Sequence, residues 1–272
     1  MTNTLTRDLS DADFAFVKRF IAERAGIRLS DEKRAMVQGR LGRRVRELGL
    51  ASIHDYLERV REGDASELVE FTNALTTNLT SFFREAHHFA GLAKLVQEHR
   101  AMRRPRLRVW SSACSTGQEP YSIALTLQRE LGDAPWDTKV LATDLDSKVL
   151  EVARRGEYAA AEIDNVPADL RGGFEAGSDR GRRRIGVGAR QLITFRQLNL
   201  LESWPMKGPF DAIFCRNVLI YFANDTQRQL VERFVRYVRP GGYLFLGHSE
   251  SLCGDHPELE SLGRTIFRRR ER

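Results

Sequence analysis

Hydrophobic positions along the chain follow two rhythms. Through about residue 75 they recur at helical spacing: Phe14, Val17 and Ile21 make one apolar stripe, and Leu68, Phe71 and Leu75 make another. Start signals recur along the region, Ser10 before Asp13, Ser52 before Asp55 and Asp64 before Glu67, pairs of the kind in which a short polar side chain caps the free N–H groups of a helix. Gly26, Gly49 and Gly63 fall where such helices would end. The pattern predicts four short helices and an all-α N-terminal domain over residues 1–76.

Beyond residue 105 the rhythm changes. Short apolar runs, LRVW (107–110), KVLAT (139–143), QLITF (191–195), DAIFC (211–215) and GYLFLG (242–247), alternate with helical segments. That alternation predicts an α/β domain over 106–272, a mostly parallel sheet with helices on both faces, with 77–105 as linker and connecting helix. Ligands of such sheets bind at the carboxyl ends of the strands, where the strand order switches. The stretch GGFEAGSDRGRRRIGVGAR (172–190) breaks the alternation, and its Gly and Arg content predicts an inserted hairpin.

Composition narrows the setting. With 42% apolar and 29% charged residues, and no run of 18 uncharged apolar residues, nothing reads as a membrane span. The opening MTNTLTRDLSDADF has no apolar h-region, so a cytoplasmic protein without a secretory signal is expected. Cys114, Cys215 and Cys253 are too few and too scattered for a disulfide framework or a structural zinc site. The net charge of +6 suggests an acidic partner. Basic residues cluster in Lys33–Arg46 and Arg180–Arg196, each free of acids, and at Arg268, Arg269, Arg270 and Arg272. On a helix Lys33, Arg40, Arg43 and Arg44 share a face beside the stripe Val37, Leu41, Val45 and Leu48, which reads as a docking surface.

The candidate chemistry lies in SSACSTGQEPYSIA (111–124), the bend after the first strand. Ser112, Ala113, Ser115 and Gly117 are small enough for a ligand to approach the backbone, and the following helix presents free N–H groups. One glycine is short of a dinucleotide fingerprint. Asp144, 27 residues beyond Gly117 at the tip of the next strand, can accept both hydroxyls of a ribose. Without an arrangement for a pyrophosphate, the pattern favours S-adenosylmethionine (SAM). A nucleophilic Cys114 lacks a marked histidine partner, and the adjacent His87 and His88 would diverge by about 100° on a helix, so no metal site is expected.

Four motifs in order, TTNLTSFFREAHHF (76–89), SSACSTGQEPYSIA (111–124), ATDLDSKVL (142–150) and FDAIFCRNVLIYF (210–222), resemble the CheR-type chemotaxis receptor methyltransferases, and the likeness runs on through RPGGYLFLGHSES (239–251). The resemblance implies a Rossmann-like, SAM-dependent enzyme that methylates glutamate side chains on the cytoplasmic helices of chemoreceptors. By resemblance Asn78, Thr80, Arg84, Glu119, Asp144, Asn199, Leu200, Arg216 and Asn217 hold the cofactor, with Arg84 and Tyr221 at the transferring methyl. It also implies a monomer, and the inserted segment resembles in position the β-subdomain that in some family members captures a receptor C-terminal peptide, with a plain solvent-exposed hairpin as the alternative. Two alternatives stand beside it: a nucleic-acid methyltransferase, motivated by the arginine clusters, and a SAM-binding module without turnover. The first is weakened by CRNVLIYF, which stands where amino-methylating DNA enzymes carry a PP-aromatic motif, so no nucleic-acid partner is expected.

Overall fold

A computed structural model describes residues 8–271 apart from 133 and 253, so Cys253, Arg272 and the first seven residues lie outside the described residues. The chain forms two compact units: one runs through Thr77 and takes in Tyr221–Ala223, and the other comprises Asn78–Ile220 and the residues from Asn224 onward.

The first unit is helical, with α1 (Asp11–Ala25), α2 (Arg34–Glu47), α3 (Ile53–Arg61) and α4 (Ala65–Leu75). The caps act as their residue types dictate. Ser10 and Ser52 accept the N–H groups of Asp13 and Asp55, Asp64 accepts those of Ser66 and Glu67, and α1 stops at Gly26 with φ 69°. Val17, Ile21, Val37, Leu41, Tyr56 and Phe71 fill the core. The basic face of α2 is not free of acids as its local sequence implies. Arg44 grips the buried Glu67 with two nitrogens at 3.0 and 2.6 Å, and Arg40 donates to the carbonyl oxygens of Ala74 and Thr76 at 3.1 and 2.5 Å. These partners lie 23 or more residues away, beyond the reach of a local charge count. Lys33 and Arg43 are exposed.

The second unit opens with α5 (His87–Ala101) and continues through β1 (Arg106–Ser111), α6 (Gln118–Leu131), β2 (Asp137–Asp144), α7 (Ser147–Arg155), β3 (Glu157–Ala159), β4 (Phe174–Ala176), β5 (Arg182–Ile185), α8 (Val187–Leu192), β6 (Ile193–Gln197), β7 (Phe210–Cys215), α9 (Asn224–Tyr237), β8 (Val238–Leu246), β9 (Leu259–Gly263) and β10 (Ile266–Arg269). Its main sheet has the order β6-β2-β1-β7-β8-β10-β9. Parallel pairing links β6, β2, β1, β7 and β8, while β10 runs antiparallel to both of its neighbours. From β1 the chain builds outward through β2 to β6, then returns to place β7 on the other side of β1. The switch in strand order falls between β1 and β7.

Both faces of the sheet are covered, and alternation along the strands sends side chains to each. Val109, Val140 and Phe214 join Leu92 and Val96 of α5 and Ile123 and Leu127 of α6 in the larger core. Trp110 meets Trp204, Phe210 and Phe234 at centroid distances of 4.8, 5.5 and 5.3 Å.

Two sequence expectations shift. Gln191 and Leu192 end α8, and the strand expected over 191–195 occupies Ile193–Gln197. The expected hairpin at 172–190 is part of a three-stranded antiparallel sheet, order β3-β5-β4, whose β3 lies well upstream of it. A three-residue strand carries too little alternation to be read from sequence.

Candidate active site

The parallel strands end on one edge of the sheet, and the candidate residues follow those ends. The bend after β1 is held by backbone bonds: Ser112 N–H donates to Phe214 O of β7 and Cys114 N–H to Thr143 O of β2, each at 2.9 Å. Cys114 is fully buried, and burial pushes its thiol well above the ordinary range, which leaves it a neutral, inert packing residue. Gly117 caps α6 at φ 101°, and a Cβ there would meet Tyr158 Oη at 2.6 Å and Ala153 Cβ at 2.9 Å. The neighbouring α7 and β3 by themselves require glycine here.

Asp144 closes β2. One carboxylate oxygen accepts the N–H of Ser115 at 2.7 Å and the other that of Asp146 at 3.0 Å. Each oxygen keeps a second lone pair, so the group is rigidly aimed and still able to accept a pair of hydroxyls. Burial raises its pKa to about 6 against the lowering effect of those N–H donors. Asn78 reaches the same loop, donating to Asp146 Oδ2 at 2.8 Å while its carbonyl accepts from Ser115 Oγ at 2.9 Å. Thr80 follows, half-buried.

Glu119, in the first turn of α6, spans the switch point. Its Oε1 accepts from Ser111 Oγ of β1 at 2.7 Å, and its Oε2 accepts from Arg216 Nη1, just past β7, at 2.8 Å. Burial raises its pKa, with Arg216 opposing. Arg216 is buried as well; its Nη2 donates to Arg84 O, and its Nε has no hydrogen-bond partner. The side chain of Arg84 donates from Nη1 to Leu79 O at 3.0 Å. Asn217, at φ 57°, donates its N–H to Glu250 Oε2 at 2.8 Å.

Asn199 and Leu200 follow β6, whose Gln197 is in register with Asp144. Asn199 Oδ1 accepts from Leu201 N–H at 3.0 Å, and the buried Leu200 gives its carbonyl to Trp204 Nε1 and Arg233 Nη1. Asn78 is thus linked to Asp144 through Ser115 and Asp146, Glu119 pairs directly with Arg216, and Asn199 and Leu200 lie at the adjoining strand end. Tyr221 belongs to the helical unit, where its carbonyl accepts Arg28 N–H at 2.9 Å.

Two acids escaped the sequence reading. Glu250, six per cent exposed, accepts N–H groups from Gly247, Asn217, Val218 and Leu219 at 2.6–2.8 Å and so shapes the loop after β7. Its position in GHSES was the available signal. Glu85, next to Arg84, faces Arg216 Nη2 at 3.4 Å. The expected divergence of His87 and His88 also fails: both Nε2 atoms meet Arg264 O, at 3.1 and 3.2 Å, because the pair stands at the very start of α5. With Glu85 they bring potential ligand atoms within 4.8 Å. A dication there would compete with the Arg216 guanidinium for the same carboxylate.

The donor set fits SAM. A ribose needs a paired acceptor, which Asp144 offers, and an amino-acid carboxylate needs a donor, which the orphaned Arg216 Nε offers. Residues 78–267 match the family model for the CheR methyltransferase SAM binding domain, and residues 12–76 match that for the CheR methyltransferase all-alpha domain. Fold, strand-end chemistry and these matches define a SAM-dependent methyltransferase.

Full-length relatives narrow the class. The chain is 46% identical over 264 residues to a chemotaxis protein methyltransferase of Escherichia coli K12, covering 95% of this chain and 91% of that protein. Identity to the chemotaxis protein methyltransferase of Salmonella typhimurium LT2 is 47%, covering 95% and 90%, and to chemotaxis protein methyltransferase 2 of Pseudomonas aeruginosa PAO1 45%, covering 94% and 92%. The chain belongs to the CheR methyltransferase family.

Proposed function

We propose that this protein methylates glutamate side chains on the cytoplasmic helices of chemoreceptors, giving glutamate methyl esters and S-adenosylhomocysteine, and so serves sensory adaptation. The observation that carries the reading is the Glu119, Arg216 and Arg84 constellation at the switch point, with Asp144 at the tip of the adjoining β2, in a chain near-half identical to chemotaxis methyltransferases.

Bound SAM supplies an electrophilic methyl on a sulfonium that is its own leaving group. Asp144 accepts the ribose hydroxyls, while Asn199 and Leu200 line the adenine end. Glu119, Arg216 and Asn217 take the amino-acid end, with Asn78 and Thr80 closing from the turn before α5. The acceptor glutamate, with an ordinary pKa near 4.3, is already a carboxylate at neutral pH, so no residue has to remove a proton. What the residues must do is align and exclude water, and alignment of this kind is worth about 7–11 kcal/mol. Arg84 orients the acceptor carboxylate through its planar guanidinium, and Tyr221 gives it a hydroxyl hydrogen bond.

Docking is assigned to the exposed Lys33 and Arg43, with Arg40 and Arg44 contributing only what charge their internal partners leave. The outer strands β3 and β4 of the small sheet are the edges to which an extended receptor C-terminal peptide can add. No helix among the described residues is long and apolar enough to cross a membrane, and the protein is read as a cytoplasmic monomer that meets its receptor there.

Tritiated SAM offered with receptor-containing membranes tests the assignment. Base-labile label on receptor glutamates is expected. Label on added duplex DNA or RNA, with none on receptors, would replace the reading with a nucleic-acid methyltransferase; tight S-adenosylhomocysteine binding without transfer to either would leave a SAM-binding module.

A further inference from the structure

The strained backbone of the site converges on Glu85. The turn before α5 holds two non-glycine residues in the left-handed region, Phe83 at φ 51° and Glu85 at φ 58°, and the loop after β7 holds a third, Asn217 at φ 57°. Such residues persist only where surrounding contacts over-determine them, and they gather at functional sites. Phe83 is fixed by burial and by its N–H to Ser122 Oγ at 3.0 Å, and Phe82 wedges edge-on between Tyr158 and Phe174.

The other two are joined by one carboxylate. Glu85 Oε1 accepts from Asn217 Nδ2 at 3.4 Å and lies 3.1 Å from His248 Nδ1, and Glu85 Oε2 lies 3.4 Å from Arg216 Nη2 and 3.4 Å from His88 Nδ1. The same Arg216 Nη2 donates to the carbonyl of Arg84. One side chain therefore ties the turn that carries Arg84 to the ends of β7 and β8. Burial lifts the Glu85 pKa, but Arg216, His248 and Asn217 outweigh it and leave it at about 2, an anion at neutral pH. Arg216 thus stands between two acids, Glu119 and Glu85, so neutralising either unbalances the clamp on Arg84.

We propose that Glu85 is a positioning residue for methyl transfer, whose carboxylate locks the Arg84 turn to the ends of β7 and β8 and so fixes where the Arg84 guanidinium meets an acceptor. The part concerning the acceptor rests on the function proposed above; the lock itself does not.

Two measurements on full-length Glu85→Gln separate these parts. Amide hydrogen exchange, which needs no acceptor, should rise at least ten-fold over Phe83–His88 and at Asn217 while the helices of residues 11–75 stay unchanged. With receptor membranes kcat should fall at least ten-fold, with KM and S-adenosylhomocysteine affinity within three-fold and Glu85→Asp recovering part of the loss. Placed in an Arg84→Lys background, Glu85→Gln should cost less than three-fold more, because the group it aims is already displaced. Unchanged exchange in either segment overturns the lock. Unchanged kcat, or losses that multiply fully with Arg84→Lys, overturn the link to Arg84. If wild type labels no receptor, the function reading fails while the exchange result still decides the lock. Should Glu85→Gln not fold, Glu85→Asp, one methylene short of its partners, gives the same comparisons.

Discussion

Single residues at the strand ends differ in how far local sequence reveals their work. Asp144 is legible because an acid at the tip of a second strand has few other uses, and the structure places its carboxylate between two backbone donors. The ionised form is the one that accepts two hydroxyl protons. Since burial lifts its pKa to about 6, protonation between pH 7 and pH 5 should weaken S-adenosylhomocysteine binding about ten-fold, and calorimetry on Asp144→Ala should remove that pH dependence along with most of the affinity. In the unliganded protein the same shift has the opposite sense. The folded state holds that proton more tightly than the unfolded chain, so this group's contribution to stability declines as pH rises from the ordinary aspartate range through about 6. Arg84→Ala should lower kcat about a hundred-fold, as misplacement of an aligned acceptor does, with single-turnover kinetics as the check. Glu119 and Arg216 lie 97 residues apart, and Glu85 and Asn217 132 apart, so their pairings emerge only when the sheet brings β7 beside β1.

At the scale of elements, long periodic segments are the legible ones. The four N-terminal helices and the strands at 107–110, 139–143, 211–215 and 242–247 announce themselves by pattern, because burial on one or both faces demands it. The three-residue strands β3 and β4 do not, nor does α8, whose sequence VGARQL holds too few turns for a stripe. The bend after β1 shows that a residue in a local motif can also answer to distant packing. Gly117 reads locally as room for a ligand, and its φ of 101° with the closeness of Tyr158 and Ala153 adds a packing requirement that local sequence does not carry. Gly117→Ala should therefore destabilise the fold by about 1–3 kcal/mol through strain, visible as a lowered Tm, and impair SAM binding only in proportion to lost folding. The basic face of α2 is the parallel case: a charge run without local acids looked unpaired, and α4 supplies Glu67 from across the bundle. Arg43→Glu should raise the KM for receptor several-fold at low salt and less at high salt, whereas Arg44→Ala should lower the Tm of the protein, since it strands a buried Glu67.

For the whole molecule, the order β6-β2-β1-β7-β8-β10-β9 gathers the ends of five parallel strands into one edge, and residues 78 to 217 contribute to that edge from segments far apart in sequence. The family matches cover both the helical region and the sheet, so the likeness is to complete chemotaxis methyltransferases and not to a shared cofactor domain alone. The proposed function assigns the net charge of +6 to encounter with a receptor and Arg84 to alignment of the acceptor carboxylate. The most direct measurement of that claim is transfer of the tritiated methyl of SAM to chemoreceptor membranes by wild type and Arg84→Ala in parallel. The account predicts base-labile label on receptor glutamates with wild type and about a hundred-fold slower labelling with the variant; equal labelling by both, or wild-type label that resists base, would contradict it.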